Sequence, residues 1–189
     1  TVLSTGKTIS ISGDTRTNIT AIGSPTEGMM TYDTTNKQLL VYSNGKWQAD
    51  RTTAIIVAAS NSSDADKAAA DYVATGTGDQ ATINSALTAA NPAGAGRKTG
   101  RVVLLAGTYT ISAAISVPNN TTLAGVGVGS VITVPNAQNG SYSMVSLGSG
   151  TTLRDLKVDG NGTNQTSGAM HGIDVTSSST LVTHITVGN

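Results

Sequence analysis

Asp155, Asp159, His171, Asp174 and His184 lie close together in the last third of the sequence and carry the side chains from which an acid/base or metal site could be built. His171 and His184 are the two histidines of the chain, and an imidazole beside a carboxylate is the usual means of moving a proton near neutral pH. Their settings read as structure. Asp159 precedes Gly160 and marks a turn, His171 stands where a turn gives way to a strand, and His184 falls within a strand. Arg154, Asp155 and Lys157 come nearest to the pairing of an acid with a cation that a cleavage site needs. Strict alternation along a strand predicts Arg154 and Asp155 on opposite faces.

Other motifs resolve in the same way. "DGNGTN", Asp159 to Asn164, begins like a calcium loop with oxygens at alternate positions. The twelfth position, where a bidentate acid belongs, is Met170, which excludes an EF-hand and leaves only an irregular cation site at this turn. "GVGVGS", Gly125 to Ser130, has the glycines of a phosphate-binding loop, but the "VITVPN" that follows is strand-like, whereas such a loop opens a helix. The Asn-x-Ser/Thr triplets, such as "NIT" and "NGT", follow from composition. Tyr72, Tyr109 and Tyr142 are the aromatics that could stack on a sugar, and core or edge packing is expected for each. Tyr32, Tyr42 and Trp47 are expected to pack a small sheet between chains. The sequence therefore assigns no catalytic residue, no cofactor-binding residue, no metal ligand and no cofactor.

The elements that would position such residues are thin and polar. The 189 residues hold 11 basic and 11 acidic side chains, so no net field draws the chain to nucleic acid or an anionic membrane. Val, Ile, Leu and Ala in short runs, among Ser, Thr, Asn and Gly, favour strands and turns over helices. Cysteine is absent, which excludes disulfides and thiolate metal sites. No apolar run approaches the roughly 20 residues of a membrane span, and no signal peptide is visible.

Along the chain, Ile9, Ile11, Ile19 and Ile22 suggest thin strands within residues 1–25. Met30, Tyr32, Leu40 and Tyr42 alternate with polar residues, and "DTTNK" and Asn44-Gly45 supply turns, predicting a three-stranded meander that ends near Trp47. Such a sheet is marginal alone, and a sister chain is the simplest partner. "ADRTTA" reads as a linker, "AIIVAA" as a buried strand, and "SSDADKAAADYV" as a helical turn or two. "GDQATINSALTAANP" is the one good helix, with Asp79 as N-cap and Ile83, Ala86, Leu87 and Ala90 at i, i+3, i+4, i+7. After Gly100 short strands recur every eight to twelve residues. Thr-Thr-Leu starts a strand after Asn120 and again after Gly150, a phase of about 30 residues that fits the coil of a parallel β-solenoid.

These residues carry a family likeness. "IIVAASNSSDADKAAADYVATGTGDQATINSALTAA", "GRVVLLAGTYTISAAISVPNNTTLAGVGVGSVI" and "LRDLKVDGNG" resemble the start of pectate-lyase-like right-handed β-helix proteins, over about residues 54–189. "GMMTYDTTNKQLLVYSNGKWQA", Gly28 to Ala49, resembles repeats of bacteriophage tail fibres and tailspikes. The fold class that the resemblance implies is mainly β: a small N-terminal β-meander, then the capped start of a right-handed parallel β-helix, in a trimer. The expected divisions are a virion-attachment meander at 1–50, a linker, strand and capping helix at 51–100, and the first coils at 101–189. The implied function is that of a structural virion protein, the N-terminal part of a tailspike or tail fibre that attaches to the tail and projects a β-helix for recognition of host surface polysaccharide. The implied partners are two sister chains, tail, baseplate or adaptor proteins, and the host polysaccharide, with no nucleic acid and no membrane insertion. The implied location is the phage tail, extracellular after host lysis. An alternative on the same scaffold is a polysaccharide depolymerase, lyase or hydrolase, with its active site mostly beyond residue 189; a secreted β-helix adhesin is a third. The strand that closes the sequence, its turn just begun, reads as the edge of a longer solenoid.

Overall fold

The computed structural model describes residues 12–35, 38–43, 45–49, 54–91 and 100–188. The expected positions Ile9, Ile11 and Asn44, most of the "ADRTTA" linker and the glycines after Pro92 lie outside these residues. The chain divides into two compact units, Thr1–Thr52 and Thr53–Asn189. It is mainly β, with several parallel sheets and few helices.

The first unit contains β1 (Gly13–Asp14), α1 (Arg16–Thr20), β2 (Met30–Asp33), β3 (Gln38–Ser43) and β4 (Lys46–Ala49). Strands β2, β3 and β4 form the expected antiparallel meander, and β1 adds to it in parallel beside β2. Ile19 departs from expectation. It lies in a helix, where a strand was predicted, because the Thr15 hydroxyl accepts from the Asn18 N–H and closes a first turn. The Ile19 side chain is buried.

The faces of the meander also differ from the apolar alternation. Thr31 stands opposite Leu40, and directly opposed residues share a face. The covered face of β2 therefore carries Thr31 and Asp33, while Met30 and Tyr32 point outwards. Asp33 is buried with its carboxylate 3.4 Å from the Arg16 guanidinium and accepts from the Thr35 N–H at 3.0 Å. A buried carboxylate needs such partners.

The second unit begins with β5 (Ile55–Ala58), α2 (Asp64–Ala69), β6 (Tyr72–Val73) and α3 (Gln80–Ala90). It continues through β7 (Arg101–Leu104), β8 (Gly107–Thr110), β9 (Ile115–Val117), β10 (Thr122–Ala124) and β11 (Ser130–Thr133). It is completed by β12 (Ser143–Leu147), β13 (Thr152–Asp159), a 3-10 turn (Gly162–Asn164), β14 (His171–Asp174) and β15 (Leu181–Gly188). Every strand pairing of the unit's described residues is parallel. Parallel neighbours need a crossover between them; α2 crosses between β5 and β6 and α3 lies on the way from β5 to β7, while from β7 onwards the crossovers are built from the strands of the other ladders.

Three in-register columns run through the unit, buried along most of their length and exposed where the first two end, at Val182 and Val187. Ile55, Val102, Leu123, Leu153 and Val182 follow one another in the first. Tyr109, Ile132, Val158 and Val187 form the second, and Ile115, Val145 and Ile173 the third. Thr122 to Thr152 is a step of 30 residues and Thr152 to Leu181 one of 29. The same phase repeats in the turn before these strands. Asn120, Gly150 and Ser179 all have positive φ, at 57°, 68° and 58°. The Asn120 N–H donates to the Ser149 carbonyl and the Gly150 N–H to that of Ser178.

Helix α3 forms as its periodicity predicts, with Ile83, Ala86, Leu87 and Ala90 buried against β5, β7 and β9. Asp79 stands at its N-cap but makes no capping bond. Its carboxylate is spent elsewhere: Oδ1 accepts from Thr75 and Gly76, and Oδ2 from Thr110 at 2.9 Å.

Candidate functional site: the polar bend of β13 and β15

The long strands β13 and β15 both bend at their fourth residue. Along β13, Leu153 and Leu156 are each buried, with Arg154 and Asp155 between them. Period-two alternation would place only one residue between inward positions. Asp155 supplies the difference with φ 58°, and His184, facing it across the ladder, has φ 51°. A left-handed residue resets the pleat, so two successive side chains point the same way. Asp and His adopt this conformation more readily than most residues. The preceding rung has Gly125 at this place, where a Cβ would run into the Asp155 carbonyl oxygen.

The bend therefore brings together what the sequence predicted to be apart. The Arg154 guanidinium lies 2.8 Å from Asp155 Oδ2, correcting the expectation of opposite faces. His184 Nδ1 lies 3.3 Å from Asp155 Oδ1. This carboxylate thus holds a guanidinium on one oxygen and an imidazole on the other, and the His184 side chain remains 79% exposed. An imidazole held through Nδ1 by a carboxylate has the orientation of a general base, but here water is not excluded and Arg154 shares the carboxylate. What this arrangement does chemically is fix the bend.

The remaining candidates are dispersed. Lys157 Nζ sits 2.7 Å from Asp159 Oδ2. The hydrogen bond from Lys157, aided by the Asn161 N–H and opposed by burial, holds the Asp159 carboxyl below its ordinary range. "DGNGTN" is a hydrogen-bonded turn. Asp159 Oδ1 accepts from the Asn161 N–H, and the Asn161 amide donates to the Val134 carbonyl and to Asn136. Among the described residues no three His, Asp or Glu side chains are grouped to hold a metal ion. His171 and Asp174 lie on β14, in a different ladder from β13 and β15.

The "GVGVGS" loop leads into β11, as its sequence predicts, and the buried Ser130 hydroxyl donates to the Leu104 carbonyl and accepts from the Val126 N–H. The Gly127 N–H donates to the Asp155 carbonyl, which seats the loop beside the bend. "NIT" is in α1 and "NGT" in the 3-10 turn. Tyr109 is fully buried, its hydroxyl 2.8 Å from the Val57 carbonyl, and burial followed by the Asp79 carboxylate pushes its pKa up. Tyr72 and Tyr142 pack against the same core, and burial raises Tyr142 as well. Tyr42 and Trp47 meet edge to face at 5.3 Å within one chain, while Tyr32 stays exposed.

Sequence reasoning missed the Asp79 clasp and the Asp155–His184 contact. The signal for the second was present: "LRDL" and "VTHI" lie one winding apart, 29 residues, each with a polar pair between two aliphatics.

No family model matches the chain, and no curated protein matches it. Among solved structures, a viral protein described as "Geobacillus virus E2 - ORF18" matches with a TM-score of 0.40 and 16% identity, over 82% of this chain. The match takes in 35% of that protein, so this chain spans about a third of its length.

Proposed function

We propose that the chain is a structural module of a bacteriophage appendage, a virion-attachment sheet followed by the first coils of a right-handed parallel β-helix in a trimeric tailspike or tail fibre. The observation that carries this reading is the recurrence of one parallel ladder at steps of 30 and 29 residues, with aliphatic columns inside it. Crossovers between parallel strands are right-handed almost without exception, which supplies the hand. The meander of β2, β3 and β4 supports the attachment role through the likeness of Gly28–Ala49 to tail-fibre repeats. Its uncovered apolar side, Met30 at 48% and Tyr32 at 37% exposure, suits contact with sister chains.

In this reading the work is mechanical. Each winding shares backbone hydrogen bonds with both neighbours, so the stack resists bending. Weak contacts with host polysaccharide, made by distal parts of three chains, then combine through effective concentration. The test is the mass of the protein in solution and on the particle. Three chains of 18.9 kDa, or three of a longer parent, are expected. A single chain at micromolar concentration, with no association on the virion, overturns the reading. An assay for reducing ends or unsaturated uronates on host polysaccharide decides whether the whole protein is also a depolymerase.

A further inference from the structure

We propose that Asn139 is a self-modification site, at which the folded chain promotes loss of the side-chain amide as ammonia and leaves aspartate or isoaspartate. The site lies where two loops stack, 134–142 between β11 and β12 and 160–170 between β13 and β14. The Ala137 N–H donates to the Asn164 carbonyl, the Asn139 N–H to Gln165 Oε1, and the Ala169 N–H to the Gly140 carbonyl. The fold dictates the reactive pair. Asn139 has φ 47°, a left-handed conformation that asparagine adopts more readily than most residues. A Cβ on Gly140 would lie 2.4 Å from the Tyr142 ring, so glycine has to follow. Glycine is also the residue whose nitrogen is least hindered in attacking the side chain before it.

In the reaction the Gly140 nitrogen gives its proton to hydroxide and attacks Asn139 Cγ, and the carbonyl electron pair moves on to Oδ1. The pair returns as the Cγ–Nδ2 bond breaks, and Nδ2, taking a proton from water, leaves as ammonia. Water then opens the succinimide ring, so the sum is amide and water giving carboxylate and ammonium. Oδ1, where the charge develops, accepts from the Thr166 N–H at 2.9 Å and the Ser167 N–H at 3.2 Å. These two backbone donors also fix which amide atom is the oxygen. Donors so placed hold an oxyanion more strongly than a neutral carbonyl. Among the described residues neither the Gly140 N–H nor Asn139 Nδ2 has a protein acceptor, which leaves the nucleophile and the leaving group free.

Asn161, followed by Gly162, supplies the contrast within the same pair of loops. It too has a positive φ, 51°. Its Nδ2, however, donates to the Val134 carbonyl and to Asn136 Oδ1, both at 3.0 Å, and its Oδ1 accepts from the side-chain amide of Asn164. Here the leaving group is held, and among the described residues no backbone N–H polarises the oxygen. The products differ as well. An aspartate at 139 keeps both acceptor contacts and strengthens them by its charge. At 161 it would lose two donations and set a carboxylate against two oxygens.

The test is incubation of the full chain at mildly alkaline pH, folded and in guanidinium, with peptide mapping by mass spectrometry and an assay for released ammonia. In the folded chain Asn139 is expected to convert at least about tenfold faster than Asn161, at a rate that rises with pH. In guanidinium, where the contacts are lost, the two sites should convert alike and Asn139 should slow. An Asn139 that converts no faster than Asn161 in the folded chain overturns the proposal, and so does one that converts more slowly folded than in guanidinium. Urea unfolding of Asn139→Asp and Asn161→Asp reads the contacts themselves. The first should match or exceed the parent's midpoint and the second should fall below it. A midpoint for Asn139→Asp below that of Asn161→Asp removes the polarising contacts, and the proposal with them.

Discussion

Asp155 and His184 sit in the left-handed region because the bend needs it, and this sets what each position tolerates. Asparagine accepts that backbone as readily as aspartate does. Asp155→Asn is therefore expected to stay within about 1 kcal/mol of the parent, since solvent-accessible ion pairs, here with Asp155 29% exposed, contribute little. Asp155→Val should cost about 1–2 kcal/mol or more, because a β-branched side chain crowds the following carbonyl. Urea unfolding of both variants reads the difference. A second residue-scale effect concerns pH. The Asp159 carboxyl is lowered in the folded chain, mainly by the Lys157 hydrogen bond. A lowered carboxyl binds fewer protons folded than unfolded. Its stabilisation is present above the unfolded value of about 3.9 and is lost as pH falls towards the folded one. Lys157→Met should raise that folded value and flatten the loss, so the gap between variant and parent narrows between about pH 7 and about pH 3.

The elements differ in how far the sequence disclosed them. Helix α3 was legible because Ile83, Ala86, Leu87 and Ala90 fall on one stripe, and all four are buried. Leu87→Ala should cost about 2–5 kcal/mol, seen as a lowered urea midpoint. The role of Asp79 was not legible, since its ligands come from Thr75, Gly76 and Thr110, the last 31 residues away. Asp79→Ala would leave three N–H groups without that acceptor and should destabilise by at least about 3 kcal/mol, with Asp79→Asn milder. Two of three turn rungs were visible through Asn120 and Gly150. The third, at Ser179, was hidden because serine does not advertise a left-handed backbone, although its φ is 58°. Periodicity placed β2 as a strand of the meander but did not tell which of its sides is covered. Its apolar residues point outwards, and only the pairing of Thr31 with Leu40 reveals this. The Arg154–Asp155 contact failed because alternation assumes an unbroken pleat.

At the scale of the whole molecule, columns rather than individual contacts hold the second unit together. Leu123 touches the rung before it and the rung after it, as do Ile132 and Val145. Truncating a residue in mid-column therefore opens a cavity between two windings. Leu123→Ala is expected to cost about 2–5 kcal/mol, whereas Val187→Ala, at a position 65% exposed, should cost well under that. Denaturant midpoints of the two variants, compared at one protein concentration, give the contrast.

The side-chain amides of Gln80 and Asn84 cover the edge at β9, accepting from the Ser112 and Ser116 N–H groups, and this has a consequence for synthesis. Both residues precede β7 in the chain, so a ribosome releases the lid before it releases the first winding that follows it. A nascent chain can thus close that flank as the earliest windings emerge, and later ones are laid down in a single direction, each on the floor left by its predecessor.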